Sequence, residues 1–264
     1  MSKLYKGIDI SYYQGDVDYE KVKNSGIDFI MIKAGQGRTA EYNAPFTDPK
    51  FKENIENAAR ANSNSNTYLG VYWYYTASTD KEVLEEAEYL LKLIKPYKFN
   101  IKTYVAIDVE DSNLIKSNKS TLTRHIKTFC SIIKSAGFRP IIYANSYWLE
   151  NKFTPPSDVP LWVAYWSDII DIDKITESYP NCKIWQCGTR PISGISGYVD
   201  YNYAYDIIGD TNNDNKVNNK DMSTLLKYLA GWNITINPSQ ADINQDGYIT
   251  MKDVNSLIRL LAVY

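Results

Sequence analysis

The chain of 264 residues contains one histidine, His125, and three cysteines. A single imidazole cannot build a site that needs two or three of them, which excludes most catalytic zinc centres. Cys182 and Cys187 flank the strand-like Lys183–Gln186. Extended backbone would hold their Cα atoms about 16 Å apart, beyond disulfide reach. Cys130 falls among apolar residues of a predicted helix, so three free and mostly buried thiols are expected. Long apolar runs are also missing: Phe29–Ile32 is far too short to cross a bilayer. Neither sign of charge dominates, with 29 Lys plus Arg against 31 Asp plus Glu. That balance gives no electrostatic reason to expect nucleic acid or an anionic membrane as partner. No charged-then-apolar leader follows Met1-Ser2-Lys3. His125, on a helix pattern spanning Leu122–Ile133, is expected at the surface without a role. Acid–base chemistry must therefore come mainly from carboxylates.

What is present is an alternation. Apolar, β-branched runs occur at Leu4–Ser11, Phe29–Gly35, Leu69–Thr76, Thr103–Glu110 and Arg139–Asn145. Helical stripes lie between them: Phe51, Ile55 and Ala58; Val83, Ala87, Leu90 and Ile94; and Leu122, Ile126, Phe129 and Ile133, ended by Gly137. Such a pattern predicts parallel strands joined by crossover helices. Three further strands are predicted at Leu161–Ser167, Lys183–Gly188 and Val199–Tyr205, with little helix between them. Eight strands predict a closed, TIM-like α/β barrel with a degenerate last third, (β/α)5(β)3.

Composition shifts at Asp210, where a twelve-residue pattern begins that returns 32 residues later at Asp242. Each copy offers oxygen at positions 1, 3, 5, 9 and 12 and a backbone carbonyl at 7, the set that a calcium loop requires. The first set is Asp210, Asn212, Asp214, the Lys216 carbonyl, Asn218 and Asp221; the second is Asp242, Asn244, Asp246, the Tyr248 carbonyl, Thr250 and Asp253. All six acidic residues after Gly209 occupy these positions, so two structural Ca2+ ions are expected. The boundaries expected are 1–208 for the barrel and 209–264 for a small all-α domain of two loop–helix repeats. This second part resembles the dockerin module. The resemblance implies folding on calcium and binding to a cohesin on a scaffold protein, with recognition at Asn219-Lys220 and Met251-Lys252. It also implies an extracellular or cell-surface location.

In a barrel of this kind the strand-end loops build the site, which singles out Asp9, Asp108, Glu110 and Asp200. Asp108 and Glu110 stand two apart and point to one side of a strand. Paired carboxylates suit glycoside hydrolysis, where one acid protonates the leaving oxygen; a solvated strand end would look the same in isolation. Twenty of the 23 Tyr precede Asp210, and Tyr72, Tyr74, Tyr143, Tyr165 and Trp166 fall at candidate strand ends, where flat rings can meet pyranose faces. Gln186 is a candidate acetamide contact.

An ordered set of motifs narrows the reading: Gly7-Ile-Asp-Ile-Ser-Tyr-Tyr-Gln-Gly15, Phe29-Ile-Met-Ile-Lys-Ala-Gly35, Val105-Ala-Ile-Asp-Val-Glu110, Pro140-Ile-Ile-Tyr143, Leu161-Trp-Val-Ala-Tyr165, Trp185-Gln186 and Gly197-Tyr-Val-Asp-Tyr-Asn202. Together they resemble glycoside hydrolase family 25, the Chalaropsis-type lysozymes, over Leu4–Tyr205. One departure stands out: Trp73 sits where family members commonly carry His, on a strand face expected to lie near sugar. The resemblance implies an N-acetylmuramidase cutting β-1,4 bonds of peptidoglycan between N-acetylmuramic acid and N-acetylglucosamine. Glu110 would be general acid and then base, with Asp108 raising its pKa and orienting the acetamide; Asp9 and Asp200 would hold the sugar and Asp108. A covalent nucleophile remains an open alternative for one Asp. So do a chitin-oligosaccharide hydrolase and an inactive wall-binding scaffold subunit for the whole chain.

Overall fold

The computed structural model describes residues 4–61, 67–167, 172–204, 209–214, 217–244 and 247–261. Two compact units emerge, Lys6–Ala204 and the C-terminal part together with the first five residues. The larger unit runs β1 (Tyr5–Ile10), α1 (Tyr19–Asn24), β2 (Phe29–Gln36), β3 (Phe46–Thr47), α2 (Phe51–Ala61), β4 (Tyr68–Tyr74), α3 (Asp80–Ile94) and β5 (Ile101–Asp108). It continues with α4 (Lys119–Ser135), β6 (Pro140–Asn145), α5 (Ser146–Asn151), β7 (Leu161–Ala164), α6 (Ile172–Ser178), β8 (Cys182–Pro191) and β9 (Tyr198–Ala204).

Eight of these strands close on themselves. β1 meets β2 on one side and β9 on the other, and the order β9-β8-β7-β6-β5-β4-β2 completes the ring; the two-residue β3 hangs on β2. Pairing is parallel around the ring from β1 through β8, whereas β8 and β9 pair antiparallel. The reversal follows from chain length, because the turn 192–197 is too short for a crossover of about a dozen residues. The stretch between β7 and β8, expected to be nearly bare, carries the seven-residue α6. The eroded part of the barrel is thus the final hairpin.

Both faces of the strands are covered, so the strands read as continuous apolar runs. Ile8, Ile10, Ile30, Ile32, Val71, Val105, Ile107, Ile142 and Val163 are buried and alternate with residues that face the barrel axis. Val83, Ala87, Leu90 and Ile94 of α3 and Leu122, Ile126, Phe129 and Ile133 of α4 are buried as their spacing predicts. Gly137 ends α4 with φ 77°, its N–H bonding to Lys134 O while the Phe138 N–H reaches Ile133 O. This double bond is a Schellman cap, whose left-handed residue favours glycine. All three cysteines are free and buried.

Two residues lie where the sequence did not put them. His125 is buried, with Nε2 3.1 Å from an Asp80 carboxylate oxygen. It stands three residues after Leu122 and four before Phe129, on the edge of the buried stripe, and burial lowers its pKa. Trp73 points away from the barrel axis into the layer under α3, with 0% exposure. Its Nε1–H donates to Glu86 Oε2 at 2.8 Å. Trp73 therefore cannot shape a sugar subsite.

Glu86 also accepts from the Thr76 N–H (3.3 Å) and Thr76 Oγ1–H (2.9 Å). Burial raises its pKa from 4.5 to about 7 despite these bonds. A carboxyl raised in this way contributes stability that is complete below the unfolded pKa and lost as pH rises through the folded one. The loss should total about 3 kcal/mol. Glu86→Gln is expected to shrink the difference in unfolding midpoint between pH 5 and pH 8; an unchanged difference would count against this assignment.

In the smaller unit, α7 (Asn219–Leu229) packs against α9 (Met251–Leu261), with the short α8 (Pro238–Ala241) before the second repeat. Leu225 and Leu257, equivalent in the two repeats, are wholly buried beside Ala241, Ile243 and Val254. Their neighbours Leu226 and Ile258 are both exposed. No helix among the described residues is long and apolar enough to cross a membrane.

Candidate active site

Strand register brings the candidate residues to one end of the barrel. Lys33 pairs with Tyr72, Tyr74 with Asp108, Asp108 with Tyr143, and Tyr143 with Trp162. Paired positions on adjacent strands share a face, so these side chains line the interior. Asp9 sits one residue from the end of β1, and Asp200 lies on β9 opposite Thr189 of β8. Val109 is buried outward, and Glu110, the next residue, is exposed at the mouth.

A hydrogen-bond network ties the floor together. Asp9 Oδ2 accepts from Gln186 Nε2 at 3.1 Å and from Asn202 Nδ2 at 2.8 Å. Asn202 Oδ1 in turn accepts from Trp162 Nε1 at 2.8 Å. Gln186 Oε1 receives both the Tyr143 hydroxyl (3.0 Å) and Trp166 Nε1 (3.1 Å). Gln186 is buried and makes three hydrogen bonds to protein groups, so it organises the floor of the site. Tyr143 is similarly occupied, its ring 4.7 Å from Trp162 in an edge contact. Tyr72 also meets Trp162 edge-on, at 6.2 Å. Tyr74 is half-buried, while Tyr165 and Trp166 are exposed, Trp166 at 61%. These three remain available to a ligand; Tyr72 and Tyr143 build the floor.

Charge in the mouth is crowded, and Asp9, Asp108, Glu110 and Asp200 are all raised above the ordinary carboxylate pKa. Asp108 is raised well above the usual carboxylate range, first by burial and then by Glu110; its Oδ1 is buried without a hydrogen-bond partner. Glu110 is raised by removal from water and by the charges of Asp200 and Asp111, while Lys33 opposes the rise. Burial acts on both carboxyls, and as neighbouring like charges the two raise one another. Burial, followed by Asp200, lifts Asp9 to about 7. Asp200 is raised by burial, an effect moderated by a hydrogen bond to Asp9. Groups coupled in this way titrate as a set.

Sequence reading missed Lys33, Trp162, Asn202 and Asp48. The first three lay inside the quoted motifs, as polar or bulky residues in otherwise apolar strands. Asp48 is buried and accepts the backbone N–H groups of Tyr12 (3.2 Å) and Lys50 (2.9 Å), fixing the loop after β1 to the start of α2.

The two repeats form a separate candidate cation centre. Carboxylate oxygens of Asp210, Asp214 and Asp221 all lie within 4.8 Å of one another. Asp221 accepts from the N–H groups of Asn212 (3.2 Å) and Asn218 (2.9 Å). Asp253 repeats this, accepting from Asn244 (3.1 Å) and Thr250 (2.8 Å). Gly247, with φ 85°, donates its N–H to Asp242 Oδ2 at 2.9 Å, closing the turn. Hard oxygens converging on one point suit a calcium-like cation. The side-chain oxygens of Asn218 and Thr250 also accept the N–H groups of Lys220 (2.8 Å) and Lys252 (3.2 Å) at the helix starts. Tyr248 is exposed, and Lys216 and Asp246 lie outside the described residues.

Comparison with known proteins agrees with this division. The family described as glycosyl hydrolases family 25 matches residues 8–194, and the dockerin type I domain matches 208–262. The autolytic lysozyme of Clostridium acetobutylicum is 28% identical over 196 residues, covering 74% of this chain and 54% of that protein. Lysozyme M1 of Streptomyces globisporus is 26% identical over 210 residues, covering 75% of this chain and 66% of the relative. The chain therefore spans about half the length of the first (54%) and just under two thirds of the second (66%). A family 25 glycosyl hydrolase structure from Bacillus anthracis superimposes with a TM-score of 0.63 at 21% identity, covering 76% of this chain and 89% of that one, a likeness of fold. Dockerin type I domains are generally calcium-binding. With the matched spans falling on the barrel and on the repeats, the chain belongs to the glycosyl hydrolases of family 25 and carries a type I dockerin domain C-terminal to the barrel.

Proposed function

We propose that the chain is a secreted or cell-surface N-acetylmuramidase that hydrolyses the β-1,4 bond between N-acetylmuramic acid and N-acetylglucosamine in peptidoglycan. The observation that carries this reading is the Asp108–Glu110 pair at the barrel mouth, one carboxyl buried and one open to a ligand, both raised in pKa. Such a pair keeps a proton at neutral pH, which a general acid must have. Glu110 protonates the leaving oxygen and then activates water. Asp108 Oδ1, buried and without a partner, accepts the acetamide N–H and aligns its carbonyl with the anomeric carbon. Asp9 and Asp200 fix the geometry, and Tyr74, Tyr165 and Trp166 give flat faces to the glycan. Mass spectrometry of fragments released from purified peptidoglycan tests the reading. Fragments with muramic acid at the reducing end are expected; cleavage of chitin oligomers with no release from peptidoglycan would overturn it in favour of a chitin-type hydrolase.

For the C-terminal part, with the boundary placed between residues 208 and 209, the proposal is a dockerin folded by two calcium ions. Asp210, Asn212, Asp214 and Asp221 hold one, joined by the Lys216 carbonyl; Asp242, Asn244, Asp246 and Asp253, with the Tyr248 carbonyl, hold the other. Asn218 and Thr250, already engaged as helix caps, act through water, as position nine of such loops often does. A cohesin on a scaffold is the partner. Support comes from the exposed repeat-related pair Leu226 and Ile258 beside exposed Asn219-Lys220 and Met251-Lys252.

A further inference from the structure

Lys33 is a buried cation that follows the apolar run Phe29–Ile32 in β2. It is 8% exposed, and its Nζ donates to Gln36 Oε1 at 2.9 Å while lying 5.0 Å from the centroid of the Tyr74 ring. Residues three apart in a regular strand face opposite ways. Here the register of β2 slips, so that Lys33 pairs with Tyr72 and Gly35 already with Trp73. The bulge at Ala34 turns Lys33 and Gln36 to the same interior side, where the ammonium reaches Gln36 and the Tyr74 ring. The next interior residue across Tyr72 is the small Ala106, and Asp108 follows two positions further along the same face of β5.

The polar partner of this ammonium is the neutral Gln36 amide, and no carboxylate among the described residues pairs with it. Burying a cation without a countercharge in contact is costly, and charge nearby must offset it. The acidic groups that face it come from two segments: Asp48 ahead of α2, and Asp108 and Glu110 at the end of β5. Asp111 and Asp200 border the same mouth through Glu110, Asp9 adjoins Asp108, and the Tyr72 and Tyr74 hydroxyls flank the stem from β4. Among the described residues, Lys33 is the cation whose charge acts on both members of the Asp108–Glu110 pair.

We propose that Lys33 is a positioning residue for the reaction, its ammonium holding one negative charge on the Asp108–Glu110 pair so that the pair enters the reaction with one proton and not two. Two protons would leave no base to receive the acetamide N–H; none would leave no acid. The bulge is the device that sets this count, since an unbroken strand would separate Lys33 from Gln36. The inference rests on the muramidase reading above.

Loss of the cation makes both carboxyls harder to ionise, so both limbs of the pH–rate profile should move upward. Lys33→Met is expected to shift the limbs by about one pH unit, the scale of a nearby opposite charge. At one pH unit below the wild-type acid limb, that shift costs about tenfold in rate. Lys33→Arg restores the limb positions even where the rate is lower. A titration of the Asp and Glu side-chain carboxyls by 13C NMR reads the same displacement without substrate. It would therefore report on Lys33 even if the chain failed to release muramic acid ends, which is a failure of the muramidase reading alone. Limbs and titrations in Lys33→Met that coincide with wild type would overturn the inference. So would a fold that needs the cation, seen if Lys33→Met and Lys33→Gln both fail to fold.

Discussion

Glu110→Gln is expected to lower kcat on peptidoglycan by about 10²–10⁴-fold while leaving the unfolding midpoint of the barrel unchanged. Gln keeps the volume and the polar tip but neither gives nor takes a proton at neutral pH. Glu110 is exposed, so its replacement opens no cavity and strands no buried partner. Asp108→Asn provides the contrast. Asp108 is buried with an unpartnered oxygen, and an amide there removes a charge that burial disfavours. That variant should also lose activity, yet hold or gain stability, because the strain of crowded carboxyls is relieved. Steady-state turnover on peptidoglycan, together with thermal unfolding, separates the two. A Glu110→Gln enzyme that lyses walls at an undiminished rate would remove the general acid from position 110 and restore the inactive-subunit reading.

The second large effect is expected on calcium removal. Excess EDTA should abolish the helical signal of α7 and α9 while turnover by the barrel continues. The core shared by these helices is small, with Leu225, Leu257, Val254, Ala241 and Ile243 at its centre. Domains of this size seldom fold on such a core alone. The loops also force Asp210, Asp214 and Asp221 oxygens within 4.8 Å of one another, a repulsion that a divalent cation converts to attraction. A cation present at about a thousand times its Kd adds roughly 4 kcal/mol to the folded state, comparable with the whole stability of a small domain. Circular dichroism and turnover, followed in one EDTA titration, decide the matter. Helical signal that persists through chelation removes calcium as the folding agent, and turnover that falls with it would recast the C-terminal part as a calcium-controlled lid.

Much of this architecture was legible before any coordinates. The barrel strands announce themselves as apolar, β-branched runs, and α3 and α4 as stripes at helical spacing, because burial on one side of a helix leaves a periodic trace. That same double burial erases the trace in the strands. In Gly70-Val-Tyr-Trp-Tyr74 nothing tells which residues look inward, and Trp73 was expected near sugar when it packs beneath α3. The carboxylates were found because a charge at a strand end is conspicuous. Lys33 and Asn202 were not, since their meaning depends on neighbours far along the chain: Asn202 reaches Asp9, and Lys33 is turned by a bulge that no local residue signals. His125 could have been placed by helix geometry alone, three residues from Leu122 and four from Phe129.

The reversed direction of β9 has one more consequence. Since β1 and β9 are neighbours and run in opposite senses, the first residues of one and the last of the other share the rim away from the catalytic mouth. They stand like the open arms of a hairpin awaiting its bend. A short linker would splice them, and the 192–197 turn then becomes the natural place to cut a circularly permuted enzyme.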